Sequence, residues 1–194
     1  MLRATAPQPV KLFCAVLAGQ QAWLDASREV MEDELGAIEL DSDIWPFDCT
    51  DYYKREMGSG LLRQIFSFQA LIDPSEIAPI KLRTNDLEME LAEKLPDTPE
   101  RPVNLDPGYL GASKMVLATT KNYTHRIYLA SGIYAEVTLR WRDGQFEPWE
   151  WTYPDYQSEA YREFFGRVRN RYMDQLRDYR KARAEDVESG IPEQ

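Results

Sequence analysis

The sequence predicts an α+β fold: a ferredoxin-like mixed sheet, extended by a C-terminal β-hairpin and followed by a long C-terminal helix. Three observations predict it. Ile133, Ala135, Val137, Leu139 and Trp141 alternate with Tyr134, Glu136, Thr138, Arg140 and Arg142, and Asp143-Gly144 follows as a hairpin turn leading to Phe146. The periodicities before that hairpin read strand, helix, two extended segments and helix, with a further extended start near Val103, which is the split βαβ pattern. After it, Tyr161, Phe165, Val168, Tyr172, Leu176 and Tyr179 recur at helical spacing.

Taken in order, Leu12 to Ala18 is an apolar run of strand length that stops at Gly19. From Gln20 to Leu35, the residues Trp23, Leu24, Ser27, Val30, Met31 and Leu35 fall on one helical stripe, and Gly36 stands where a C-terminal cap is expected. Asp41 to Cys49 reads as a second extended segment, broken by Pro46. Leu62, Phe66, Phe68, Ala70 and Ile72 then alternate with Arg63, Ser67 and Gln69, the pattern of a half-buried strand whose polar set faces water. Asp73-Pro74 ends it. Ile77, Ile80, Thr84, Leu87, Leu91 and Leu95 step by three and four as a second amphipathic helix, and Pro96, Pro99 and Pro102 mark a linker. In the hairpin strand, unbroken alternation places Val137 and Leu139 together on the core side and groups Glu136 with Arg140 and Arg142 on the other.

The 194 residues suffice for one sizeable core, so residues 1–194 are expected to form a single domain, with flexible ends at 1–9 and 185–194. Five Trp and eleven Tyr supply the apolar surface that disordered chains lack. No apolar run approaches the roughly 20 residues of a membrane span, and residues 1–9 lack a signal-peptide pattern. The expected location is cytoplasmic, without membrane contact. Cys14 and Cys49 form no CxxC pair, and Cys14 lies in an apolar run as a buried thiol would.

A net charge of −10 argues against general nucleic-acid binding, which needs a basic face. The acid is concentrated early: Asp25 to Asp51 holds ten acidic residues and one basic, Arg28. The middle is basic, for Arg101 to Arg142 holds six cations against Asp106 and Glu136. A solvated surface accounts for most such imbalance; a pocket of one sign inside an oppositely charged chain is the functional reading.

Several chemistries are missing from the sequence. It has no GxxxxGK[ST] loop, no GxGxxG and no GxSxG elbow, and one histidine, His125, cannot build a His-rich zinc site. No metal site is therefore expected, and magnesium would enter only with a phosphorylated ligand. Gly58-Ser59-Gly60 reads as a turn or hinge, with a phosphate cradle as the second reading. Asp106-Pro107-Gly108 has the composition of a type II turn, which leaves Asn104 and Asp106 either bonding local amides or forming a polar pair at a strand end. Lys121 to Arg126 sets His125 beside two cations, which disfavour the imidazolium; a solvated loop histidine and a working one both fit. Lys81, Asn85 and Glu88 share a helix face, the spacing of an ion-pair stripe. Tyr52-Tyr53 and Trp151-Thr152-Tyr153-Pro154-Asp155-Tyr156 are aromatic-acidic clusters of the kind found in both ligand sites and rigid loops.

Arg101 to Leu110, VLATTKNYTHRIYLASGIYAEVTL at Val116 to Leu139, WTYPDY at Trp151 to Tyr156 and DYYKREMG at Asp51 to Gly58 resemble an uncharacterised prokaryotic family, domain of unknown function 4416. The resemblance runs from about Pro9 to about Leu176 and implies no site residue. Some members are labelled GTP-binding, but this chain has neither a phosphate loop nor an NKxD guanine-reading motif.

The expected function is binding of a small anionic ligand, a nucleotide or phosphorylated metabolite, through Arg101, Asn104, Lys121 and Arg126. One alternative is a non-catalytic module that binds a protein partner. The other is a hydrolase or transferase in which His125 works with Asp106 or Glu136.

Overall fold

A computed structural model describes residues 5–50, 52–95 and 98–188. Elements follow in the order β1 (Val10–Ala18), α1 (Gln21–Leu35), β2 (Ile38–Asp41), β3 (Trp45–Phe47), α2 (Lys54–Met57), β4 (Leu61–Ile72), α3 (Ile77–Lys94), β5 (Val103–Leu110), β6 (Lys114–Thr119), β7 (Ile127–Ala130), β8 (Ile133–Arg142), β9 (Gln145–Pro148) and α4 (Glu159–Glu188). The described residues form one nine-stranded sheet in the order β2-β4-β1-β5-β6-β8-β7, with β3 on β4 and β9 on β8. The β2-β4-β1-β5 half has the ferredoxin-like order. Its parallel βαβ partners are each separated by an intervening strand, so every ladder between neighbours is antiparallel.

β1 is the centre of that half, and both its faces are buried. Leu12, Cys14, Val16 and Ala18 pack with Phe66, Phe68, Val103 and Leu105 beneath α1 and α3. Phe13 and Ala15 pack with Ile65, Leu110, Met115 and Leu139 beneath α4, which contributes Phe164, Phe165, Val168, Tyr172 and Leu176. Gly36 takes φ 91° at the end of α1. Asp143 and Gly144 take φ 49° and 83°, the positive pair that a type I′ hairpin requires.

Four expectations need correction. Arg63 and Ser67 are buried, because β4 is covered on both faces rather than one. Asp106-Pro107-Gly108 is not a turn: β5 runs straight through it, with Cys14 opposite Pro107 and Phe13 opposite Gly108. Gly108 is demanded by packing, since a Cβ there would lie 2.4 Å from the Val116 carbonyl oxygen and 2.5 Å from the Phe13 ring. The alternation of β8 is interrupted. Met115 pairs with Leu139 but its neighbour Val116 pairs with Val137, so Thr138 is the extra residue of a β-bulge. The bulge puts Val137 and Leu139 on opposite faces and removes Glu136 from the face of Arg140. Finally, the extended segment expected at 41–49 is strand only at Trp45–Phe47, while β2 ends at Asp41 where it was to begin; both lie on the outer edge of β4.

At the chain ends, residues 185–188 continue α4, whereas 1–4 and 189–194 lie outside the described residues, as do Asp51 and Pro96. Among the described residues no helix is long and apolar enough to cross a membrane.

Candidate functional site

On the α4 side of the sheet, register lines up Arg63 of β4, Leu17 of β1 and Asn104 of β5, and in the next row Ile65, Ala15 and Asp106. The helix covers only part of this face. Toward Arg63 and Asn104 the cover is instead the segment around Tyr52-Tyr53 and the turn Asp155–Gln157. Between cover and sheet lies a cavity of about 640 Å³, within the range of small-ligand sites.

A parting of two strands opens its floor. β5 and β6 pair only at Gly108–Leu110 with Met115–Leu117; beyond that β5 keeps β1 as its neighbour and β6 keeps β8. The backbone polar groups that this parting exposes still need partners. α3 supplies them: Lys81 Nζ donates to the Leu105 carbonyl oxygen at 2.8 Å, and the Leu105 N–H donates to Glu88 Oε1 at 2.7 Å. Two charged side chains stand in for a strand.

From there the polar wall continues. Lys81 Nζ reaches Asp106 Oδ1 at 3.3 Å, and Asn104 Nδ2 donates to Asp106 Oδ2 at 2.6 Å. Arg101 Nη2 donates to Asn104 Oδ1 and, at 2.8 Å, to Glu88 Oε2. Burial pushes the Glu88 carboxyl above its ordinary value despite Lys81 and Arg101 nearby. Burial acts on Asp106 too, but Lys81 and Arg63 outweigh it and hold that carboxyl below its ordinary value.

The opposite wall comes from the β6–β7 connection. Arg126 Nε donates to Glu136 Oε2 at 2.9 Å, and its Nη2 donates to the Tyr153 hydroxyl at 3.1 Å. Lys121 Nζ donates to the Tyr52 hydroxyl at 2.5 Å and lies 4.1 Å from the centre of that ring. Arg63 sits 4.8 Å over the Phe47 ring, with Asp155 at 3.5 Å and Asp106 at 4.0 Å. Burial raises the Asp155 carboxyl against the pull of Arg63.

Of the residues singled out by sequence, Arg101, Asn104, Asp106, Lys121, Arg126 and Glu136 all line this cavity. His125 is not part of its wall. It lies behind Glu136, with Nε2 3.0 Å from Glu136 Oε2, and stacks on Trp151 at 5.3 Å. Trp151 and Thr152 in turn bond the Val137 and Thr138 carbonyl oxygens, filling the edge of β8 between β7 and β9. Sequence reasoning missed Arg63, Lys81, Glu88 and Asp155 as site residues. The Lys81-Asn85-Glu88 stripe and the WTYPDY cluster carried a signal, because both reach the cavity; Arg63 carried none, standing at a position whose alternation pointed to solvent. Among the described residues no group of three His, Cys, Asp or Glu could hold a metal ion.

Residues 8–172 match the domain of unknown function DUF4416, and the chain belongs to that family. No curated protein and no solved structure matches it.

Proposed function

We propose that this cavity binds a small anionic ligand, a nucleotide or a phosphorylated metabolite. The observation that carries the reading is the gathering of Arg63, Lys81, Arg101, Lys121 and Arg126 from four separate stretches of a chain whose net charge is −10. Against these five cations the described wall sets four carboxylates, Glu88, Asp106, Glu136 and Asp155. Among the described lining residues the excess is one positive charge, with Glu56 3.7 Å from Arg101 just outside the wall. The excess is felt at Lys121, whose hydrogen bond goes to a neutral phenol, and at Arg63, whose carboxylates stand 3.5 and 4.0 Å away. A single-sign excess inside low-dielectric walls attracts the opposite charge, and Tyr52, Tyr53 and Tyr153 offer flat surface beside it. Magnesium would enter on the ligand's phosphate oxygens.

Binding is preferred to hydrolysis or group transfer because Asp106 and Glu136 are both tied to cations and His125 stands outside the wall. The test is a thermal-shift panel of nucleotides and phosphorylated metabolites. Ligand at 100 times its Kd adds about 2.7 kcal/mol of stability. Lys121→Ala and Arg126→Ala are each expected to weaken binding by roughly 1.5–3 kcal/mol, the value of a hydrogen bond to a charged group. If no anion shifts the melting temperature, the interaction-module reading replaces this one. Its own support is the outer strand β7, where Ile127, Tyr128 and Leu129 are exposed.

A further inference from the structure

Arg63 and Tyr156 are both buried and both line the cavity. Among the described residues, Arg63 Nε, Arg63 Nη1 and the Tyr156 hydroxyl have no hydrogen-bond partner. Buried donors are nearly always paired, and a guanidinium is permanently charged and can only donate. The nearest carboxylates compensate its charge at a distance without taking these hydrogens, and Asp106 is already engaged by Lys81 and Asn104. Burial keeps the Tyr156 hydroxyl protonated, hence able to donate. Three unbonded donors on two buried side chains that line a ligand-sized cavity call for an oxyanion, and a phosphoryl group, with three terminal oxygens, answers them better than a carboxylate with two.

The charge balance limits how many such groups fit. An excess of one positive charge suits a phosphate monoester, which carries about −1.5 to −2. A triphosphate would bring roughly twice that charge among the four carboxylates of the wall.

We propose that the ligand carries a single phosphoryl group and that Arg63 and Tyr156 hold it in the cavity. This rests on the anion-binding reading above, and deepens it by naming the anchor and the number of phosphates.

Calorimetry with AMP, ATP and inorganic phosphate, without magnesium and at fixed ionic strength, tests it on the full chain. AMP is expected to bind at least about tenfold more tightly than ATP, with inorganic phosphate competing for the AMP site. Tyr156→Phe should weaken AMP about tenfold while leaving the melting temperature unchanged or higher, because the hydroxyl it removes bonds nothing in the protein. Arg63→Lys keeps the charge but loses the guanidinium N–H groups, and should weaken AMP at least as much; if it does not fold, Tyr156→Phe decides alone. Tighter binding of ATP than of AMP overturns the proposal, as does undiminished AMP binding by Tyr156→Phe. If AMP binding is lost in Lys121→Ala but intact in Tyr156→Phe, the phosphoryl group sits at the rim: this proposal falls and the broader anion-binding reading stands. If AMP, ATP and phosphate all fail to bind the wild type, the broader reading falls with it.

Discussion

The two faces of the sheet are built from the same strands and solve different problems. Under α1 and α3 the centre of the sheet is apolar, with Leu12, Cys14, Val16 and Ala18 of β1 meeting Leu24, Leu87 and Leu91. Under α4 the rows begin the same way, at Phe13 and Ala15, and then become Arg63, Asn104 and Asp106 where the helix no longer covers them. The difference teaches that burial alone does not predict residue type here. Buried charged groups gather on the uncovered half of the α4 face, with Lys11 paired to Glu39 at that face's other end, and each is bonded to, or stands within ion-pair distance of, an opposite charge or polar group, as the cost of desolvation requires.

The comparison breaks most sharply at α4. Phe165 is fully buried against Phe13, and Phe165→Ala is expected to cost about 3–5 kcal/mol in a urea titration. A loss below about 1 kcal/mol would mean that α4 is an appendage and the half-face beneath it is not core. On the other face Leu24→Ala should cost about 2–5 kcal/mol by the same mechanism, so the two apolar halves should prove of similar weight.

Gly108→Ala probes the boundary between the two halves. Backbone and ring both lie within 2.5 Å of the added methyl, and overpacking of this kind costs about 1–3 kcal/mol, occasionally more. Its effect should extend to ligand binding, because Gly108 opens the last row before β5 and β6 part. Unchanged stability would show that the strands separate more readily than their ladder implies.

The charged half-face should leave a signature in pH. The Glu88 and Asp155 carboxyls are raised in the folded chain, first by burial. A raised carboxyl binds more protons folded than unfolded, so stability should rise as pH falls from neutral through those raised values, levelling near the ordinary 4.5 and 3.8. Asp106 is lowered, and the stability it contributes should be lost below 3.8. Chemical denaturation at several pH values from 7 to 3 reads both limbs. Glu88→Gln should flatten the first limb and leave the second, whereas an unchanged first limb would assign it to other groups. The smallest effect expected is from Lys121→Ala, whose change in fold stability should stay within about 0.5 kcal/mol, since its contact is with the exposed Tyr52.

Much of the fold was legible because it is written in local periodicity. β1, α1, β4, α3, the start of β5 near Val103, the 143–144 hairpin and the stripe of α4 all follow from local pattern and turn residues. What escaped depends on partners distant in sequence. The bulge at Thr138 comes from register against β6, and the Pro107-Gly108 pair was shaped by the approach of Phe13 and Val116 rather than by a turn. Within the site, the basic middle of the chain was visible as composition. Asp106 and Glu136 were counted with it, but the other two acids of the wall were not, because Glu88 and Asp155 arrive from α3 and from the turn before α4. Arg63 was hidden by its own regularity: a polar residue at an alternating position looks solvent-facing until a second layer is found above it.

The substitution of Glu88 for a strand at Leu105 makes one backbone amide unlike those of an ordinary ladder. Its acceptor is a carboxylate with a raised proton affinity rather than a carbonyl that never titrates. Protonating Glu88 exchanges a charge-assisted hydrogen bond for a neutral one of about half the strength, loosening the seam where the two leaves of the sheet diverge. The Leu105 amide is thus a built-in reporter: its hydrogen-exchange protection, corrected for intrinsic rate, should weaken in acid while Asn104 and Leu110, whose amides face β1, hold theirs.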